Sequence, residues 1–423
     1  MVNDKTLEPK FFQSLLDNSP TPYHLVNYIE EKLINYFNAQ QLKLNEKWKI
    51  KTGSYYIKKE GTSLIAFNID VKKKYEPFLI AAAHTDSPGL KLKIGSTEKA
   101  SGVFYNHIEI YGSPIISTWI DRDLSLAGIV YFKKNENIES KLINIENIGI
   151  IPNLAIHLNR QINEGFKYNT HDNLTVISST KKAIKDNILE QLGIECENFL
   201  SCDLIFTESQ PSKIIGTEGE FLASKNLDNK SGCHAIMNSY VHTSNDKNKI
   251  AVFFDNEEVG SLTSRGADSN FLSEVLERID IALDLTREEH LIKTNKSFNI
   301  SIDSVHGIHP GYTSKHDPNY QANLGKGVVV KNSANFRYAT TSTGFAKLKN
   351  LAIKNNIKIQ EIIMKANVPS GTTIGPISNA RTGIETIDIG TPMWAMHSLR
   401  ETVSIADHIE AIKLLRAFFE KGI

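Results

Sequence analysis

Short apolar segments rich in β-branched residues recur towards both ends of this chain and constrain its fold more than any other feature. Strand-like runs crowd residues 50–83. After about residue 211 four more runs, KIAVFFD, RIDIALDL, SFNISID and IETIDIG, alternate with helical patterns. Short runs without a polar face are typical of strands buried between helices. The alternation therefore predicts an α/β fold with a mixed central β-sheet flanked by helices.

The pattern changes between about residues 91 and 210. Apolar and polar residues alternate there between turn residues, with many β-branched and aromatic side chains. Such alternation is typical of half-buried antiparallel strands. We expect a mainly β insert, with one helical piece near 181–192, inside a domain formed by residues 1–90 and 211–423.

Charge and cysteine content narrow the possible partners. Lys and Arg together number 48, as do Asp and Glu, so the formal net charge is zero and we expect no nucleic-acid partner. The chain contains no apolar run of membrane-spanning length and no recognisable signal segment. Three cysteines without CxxC spacing are typical of a reducing compartment. These features predict a cytoplasmic protein that does not bind membranes.

Several of the apolar runs are followed closely by a histidine or a carboxylate. One such position alone is more often a turn or packing residue than a ligand. Ligands of α/β sheets, however, gather beyond the carboxyl ends of the strands, so the recurrence favours a metal site. The residues concerned are His84 and Asp86, Asp228, Asp255 with Glu257 and Glu258, Asp303 with His306 and His309, and His397.

Imidazole and carboxylate ligands without thiolate suit Zn²⁺, with Mn²⁺ or Co²⁺ as alternatives. Two histidines and three carboxylates are too many for one catalytic zinc ion, but they match two ions that share a bridging carboxylate. Of the adjacent Glu257 and Glu258, one would coordinate and the other would accept a proton from water. Asp86 could accept the second ring N–H of His84 and so orient that ring.

Seven motifs in a fixed order resemble the aspartyl aminopeptidase family of cocatalytic dinuclear zinc aminopeptidases. They are HTDSP, DRDLSLAG, NLDN, DNEEVGS, HGIHPGY, GTTIGP and MHSLRE. The resemblance covers almost the whole chain and implies a zinc exopeptidase-like catalytic domain that cleaves short peptides. It implies two zinc ions per subunit, with His84 on one ion and His397 on the other. Asp228 would bridge the ions, Glu258 and Asp303 would each complete one site, and Glu257 would be the general base.

The resemblance also implies a role for the insert. Residues 91–210 would form a dimerisation domain, and dimers would build a tetrahedral dodecamer with its active sites facing an inner chamber. His157, in NLAIHLNRQINE, would then enter the substrate pocket of a neighbouring subunit. His309 would line the pocket within its own subunit.

Substrate preference depends on the segment KGVVVKNSANFRYAT. The resemblance implies that Lys331, with Tyr338 nearby, would bind an N-terminal Asp or Glu side chain, since a buried cation favours a carboxylate. A solvated surface lysine and a preference for neutral residues such as Leu are alternatives. So are another hydrolase on the same scaffold and a non-catalytic, metal-stabilised assembly or cargo protein.

Overall fold

Apolar runs of the sequence pair into a mixed central sheet, which confirms the predicted α/β fold. The computed structural model describes residues 4–423. Across the sheet the strands lie in the order β1-β2-β3-β13-β4-β14-β18-β16-β17. Their bounds are β1 Gln40–Gln41, β2 Gly53–Lys59, β3 Ser63–Ile69, β4 Leu79–His84, β13 Lys249–Phe254, β14 Phe298–Ile302, β16 Val328–Asn332, β17 Ile359–Ile363 and β18 Glu385–Gly390.

Helices cover both faces of this sheet. In β4, Ala81 and Ala83 face one apolar core while Ile80 and Ala82 face the other. Burial on both sides explains why the run has no polar face. The helices are α1 Pro9–Asn18, α2 Pro22–Phe37, α3 Ile184–Leu192, α4 Leu227–Val241, α5 Phe271–Ala282, α6 Arg287–Lys296, α7 Ser342–Lys354, α8 Ile374–Thr382 and α9 Ile405–Lys421.

One predicted strand is wrong. RIDIALDL begins inside α5 and continues into the turn that follows it. Leu272, Val275, Leu276 and Ile279 recur at helical spacing and pack as one stripe against the sheet. The first apolar residue of RIDIALDL, Ile279, is therefore the end of this helical stripe, although the spacing of the run resembles that of a strand.

Residues 89–208 form a separate antiparallel sheet, in the order β8-β7-β10-β5-β6-β9, with α3 beside it. The dimerisation role of this insert stays a prediction. Its strands are β5 Gly89–Ala100, β6 Val103–Tyr111, β7 Leu124–Lys134, β8 Asn137–Gly149, β9 Val176–Ser179 and β10 Phe199–Glu208.

None of the helices in residues 4–423 is long and apolar enough to cross a membrane.

A small third sheet has the strand order β11-β12-β20-β19-β15. This third sheet carries the segments before Asp228 and His397. Its strands are β11 Lys213–Ile215, β12 Phe221–Ser224, β15 Val305–His306, β19 Pro392–Trp394 and β20 Glu401–Ser404.

Candidate metal centre

The carboxyl ends of three neighbouring parallel strands bring part of the cluster together. Strand β4 lies between β13 and β14 and runs parallel to both. His84 ends β4, Asp303 follows β14, and the turn with Glu257 and Glu258 follows β13. Parallel strands that end at one edge place their following residues side by side, as the sequence predicted for this sheet.

Asp228 and His397 come from outside the central sheet. Asp228 lies in the first turn of α4, and its peptide bond to Asn229 is cis. His397 follows β19 of the third sheet. Both side chains reach the edge where the central strands end.

The cluster contains two ligand groups that share Asp228. Nε2 of His84 lies 3.2 Å from Asp303 Oδ1 and 3.4 Å from Asp228 Oδ1. Nε2 of His397 lies 3.4 Å from Glu258 Oε2 and 3.6 Å from Asp228 Oδ2. The two carboxylate oxygens of Asp228 therefore face different histidines.

Each group can supply three ligand atoms to one ion. Among the described residues, ligand atoms within 4.8 Å of one another come from His84–Asp228–Asp303, from Asp228–Glu258–His397 and from His84–Glu257–Glu258. The first two groups correspond to the two predicted zinc sites. The third shows that Glu257 lies next to the same space.

Unsatisfied buried oxygens test whether a cation fits. Asp228 Oδ1 and Glu258 Oε1 are buried, and neither accepts a hydrogen bond from any described residue. Burial and the negative charge of Asp228 raise the pKa of Glu258 well above its ordinary value. Crowded, buried carboxylates of this kind are unfavourable unless a cation or donor compensates them. The donor set of imidazole nitrogens and carboxylate oxygens fits zinc.

Asp86 has a broader role than the sequence predicted. Its backbone carbonyl accepts from His84 Nδ1 at 3.1 Å, whereas its carboxylate lies 3.4 Å from that nitrogen. The carboxylate accepts the backbone N–H groups of Glu257 and Glu258, each at 3.1 Å. Tyr111 donates its hydroxyl to the same carboxylate at 2.8 Å. Asp86 thus holds the glutamate turn as well as the histidine.

Sequence reasoning missed a second carboxylate with an equivalent role. Glu401 is 2% exposed and accepts the backbone N–H groups of His397 at 2.7 Å and of Asp228 at 3.0 Å. Its only sequence signal is a glutamate that begins a short strand within the quoted motif MHSLRE. The two hydrogen bonds compensate the burial of Glu401, and they join the segment that carries His397 to the segment that carries Asp228.

A cavity of about 160 Å³ opens at the candidate ligands, and His84, Asp228, Asp303 and His397 form part of its lining. Lys331 and Tyr338, the two candidate substrate-binding residues of one segment, line it. Lys331 is 3% exposed and donates to Asp303 Oδ2 at 3.2 Å, while its ammonium lies 5.5 Å from the Tyr338 ring centroid. The alternative of a solvated surface lysine is therefore wrong.

The two histidines of the substrate prediction, His157 and His309, lie outside the cavity lining, whereas the neighbouring His306 is part of it. His309 is exposed, accepts a hydrogen bond from the Gly311 N–H, and its ring lies 4.9 Å from the Tyr312 ring at an interplanar angle of 57°. His157 lies in an exposed turn of the insert. The substrate roles of His157 and His309 stay predictions.

Comparisons with known proteins agree with this geometry. The family model described as "Aminopeptidase I zinc metalloprotease (M18)" matches residues 15–419. A Borreliella burgdorferi protein named "Probable M18 family aminopeptidase 2" is 98% identical over 423 residues, which is 100% of each chain. A Clostridium novyi protein of the same name is 39% identical and is matched over 98% of its length by 97% of this chain.

Two solved structures place the fold. The chain matches "Cryo-EM structure of the Ape4 and Nbr1 complex" with a TM-score of 0.92 and 32% identity, over 99% of this chain and 87% of that one. It matches "Structure of S. cerevesiae mApe1 dodecamer" with a TM-score of 0.84 and 25% identity, over 97% and 95% of the two chains.

The fold and the histidine–carboxylate cluster define a metal-dependent hydrolase. The family match adds the reaction, because it spans nearly the whole chain. The chain belongs to the M18 family of zinc metallopeptidases and is a metal-dependent aminopeptidase. The predicted family resemblance is confirmed.

Proposed function

We propose that this aminopeptidase holds two zinc ions per subunit and removes N-terminal Asp or Glu from short peptides. The observation that carries the proposal is the pair of ligand groups that share Asp228. His84 and Asp303 would complete one site, and Glu258 and His397 the other. Mn²⁺ or Co²⁺ could occupy the same donor set.

Glu257 is the proposed general base. When bound, the zinc ions supply Lewis-acid chemistry that polarises the scissile carbonyl and acidifies water at the site. Glu257 lines the cavity, and burial raises its pKa to about 7. A carboxylate in this range can accept a proton from water and return it to the leaving amine near neutral pH. The backbone contact with Asp86 holds Glu257 in place.

Lys331 supports the acidic preference. An ammonium group has three N–H donors, and the one hydrogen-bond acceptor of Lys331 among the described residues is Asp303. The remaining donors favour a carboxylate in the adjoining cavity. Neutral side chains are the second candidate, because Val305, Ile362 and Met364 line the same cavity with apolar surface.

We further propose that residues 91–210 mediate dimerisation and that dimers assemble into a tetrahedral dodecamer. Leu154, Ile156 and Leu158 are exposed on the insert, and large exposed apolar side chains favour association. The mApe1 neighbour is itself a dodecamer. His157 lies between these apolar residues, which supports its proposed place in a neighbouring subunit's pocket. The free cysteines Cys196, Cys202 and Cys233 support a cytoplasmic location.

Peptide cleavage followed by mass spectrometry tests the proposal. Short peptides that begin with Asp, Glu, Leu or Ala would be offered with N-acetylated controls, with and without chelator, and zinc per subunit would be measured. We expect loss of the first residue only, from free-amine peptides, fastest for Asp or Glu, and abolished by chelator. Faster release of Leu would refute the acidic preference, and cleavage of acetylated peptides would refute the exopeptidase assignment.

The variant Glu257→Gln separates the enzyme from a non-catalytic assembly protein. We expect turnover to fall by two orders of magnitude or more, since general-base catalysis contributes about 10²–10⁴-fold. Zinc content and assembly size should stay as in the unmodified protein. Unchanged turnover would contradict the role of Glu257.

A further inference from the structure

We propose that the insert is part of the catalytic centre of its own subunit, through residues 111–113 at the end of β6. This 111–113 segment leaves the insert sheet and contacts both the glutamate turn and His397. The inference goes beyond the proposed dimerisation role of the insert, and it rests on the proposed two-zinc site. Three independent contacts support it.

The first contact is made by the Tyr111 hydroxyl. It donates to Asp86 Oδ2 at 2.8 Å and accepts from Asn256 Nδ2 at 2.9 Å. Asp86 in turn accepts the backbone N–H groups of Glu257 and Glu258. Tyr111 therefore fixes the carboxylate that positions the glutamate turn, and it is the insert's own contribution to that network.

The second contact orients His397. The Ser113 carbonyl accepts from His397 Nδ1 at 3.1 Å, and the Ile115 N–H donates to the His397 carbonyl at 2.9 Å. A carbonyl on Nδ1 selects the tautomer whose Nε2 carries a free lone pair. That Nε2 is the atom that faces Asp228 and Glu258. The insert thus sets both the ring direction and the tautomer of this ligand.

The third contact is the close approach of Gly112 to Glu258. Gly112 has φ +68°, and a Cβ placed there would lie 3.2 Å from Glu258 Cβ and 3.3 Å from Pro88 Cβ. A side chain at this position would therefore push the 111–113 segment away from the glutamate turn. The fit explains why a glycine follows Tyr111.

The contacts of Ser113 and Gly112 act directly on the Asp228–Glu258–His397 group, whereas Tyr111 acts through Asp86, which holds the glutamate turn and also contacts His84. Tyr111 and Ser113 are positioning residues, because they act through Asp86 and His397. Contacts behind a metal ligand fix its orientation, and their loss weakens metal affinity or activity about 10–100-fold. One zinc ion of the pair should depend on the insert.

Two variants, each with a control from the same insert, test this dependence in the assembled, zinc-loaded protein. Tyr111→Phe removes one hydroxyl; its control is Tyr105→Phe on the same strand, whose hydroxyl donates to the exposed Glu98 carboxylate. Gly112→Ala adds one methyl; its control is Gly102→Ala, which has φ +82° and no neighbour within 4 Å of the added methyl. The readouts are zinc retained per subunit in a chelator titration, kcat and KM on one peptide, and assembly size.

We expect Gly112→Ala to release one of the two zinc ions, and Tyr111→Phe to release at least one, at a chelator strength roughly tenfold lower than the controls. kcat should fall about tenfold or more with KM within twofold, and assembly should not change. Zinc curves and kcat equal to the controls in Tyr111→Phe would overturn the inference, even if Gly112→Ala failed to assemble. An unmodified protein that held no zinc pair would overturn the proposed function instead, and this inference with it.

Discussion

Replacing Lys331 by methionine should remove the preference for an acidic N-terminal residue. Lys331 is buried at the wall of the cavity, and its ammonium contacts Asp303. Burial alone would lower the pKa of Lys331, but the charge of Asp303 raises it above its ordinary value. The lysine is therefore cationic throughout the working pH range. Methionine keeps the length and apolar stem of the side chain and removes the charge.

The expected magnitude follows from the hydrogen bond that a substrate carboxylate would make. A hydrogen bond to a charged group contributes about 1.5–3 kcal/mol, and each 1.4 kcal/mol is a factor of ten. The ratio of kcat/KM for Asp over Leu peptides should therefore fall about 10–150-fold. Loss of the contact with Asp303 affects every substrate equally, so it lowers both values and cancels in the ratio.

The assay measures kcat/KM for two peptides that differ only in an N-terminal Asp or Leu. Lys293→Met is the matched control, because Lys293 is also buried and paired with an aspartate, Asp280 at 2.7 Å. Lys293 does not line the cavity. An Asp-to-Leu ratio that stays within twofold of the unmodified protein in Lys331→Met would refute the reasoning.

Three further predictions concern groups outside the ligand set. Burial lowers the pKa of His408 to about 3, so the unfolded chain alone binds this proton between about pH 6.5 and 3. Stability is therefore lost as pH falls. Between pH 7 and pH 5 the free energy of unfolding of the unmodified protein should drop by about 2 kcal/mol more than that of His408→Gln. Denaturant titrations that gave the same drop for both proteins would contradict this prediction. In Glu401→Gln the side chain keeps one acceptor oxygen and can accept only one of the two backbone N–H groups of His397 and Asp228. This variant should weaken zinc retention about 10–100-fold in a chelator titration, and an unchanged midpoint would exclude a positioning role for Glu401. Asp388 accepts hydrogen bonds from the Ala339 N–H and from the hydroxyl of Thr373, which lines the cavity. Asp388→Asn should therefore raise KM about tenfold in steady-state kinetics and leave kcat little changed, because loss of a supporting contact costs about tenfold at the low end.

The strand ends that meet at the candidate site could be predicted from the sequence, because His84 and Asp303 each come at the end of a recognisable apolar run. His84 is the last residue of β4 and Asp303 directly follows β14, and because these two buried strands are parallel neighbours, their ends lie together at one edge of the sheet. The error over RIDIALDL has the complementary cause. A short apolar run inside a helix shows the same composition as a strand, and the helical stripe becomes visible only over a longer window.

The residues that line the cavity were harder to predict from the sequence than the strand ends. His306 and His309 lie in one motif, and spacing alone does not separate them. The structure places His306 in β15, facing the cavity, while His309 begins a turn of 3₁₀-helix at the surface. Loop direction depends on the pairing of β15 with β19, a contact between residues almost ninety positions apart.

The hydrogen bonds that position the candidate ligands could not be predicted from sequence patterns. Asp86 and Glu401 each accept two backbone N–H groups, and those groups belong to the segments that carry Glu257 and Glu258 or Asp228 and His397. Every residue except proline has a backbone N–H donor, so the sequence does not show which N–H groups a buried carboxylate will accept. A buried carboxylate with two such donors costs less free energy than an unpaired one, and it joins the two segments whose N–H groups it accepts. The relative placement of the candidate ligands therefore depends on these two carboxylates as well as on the strand ends.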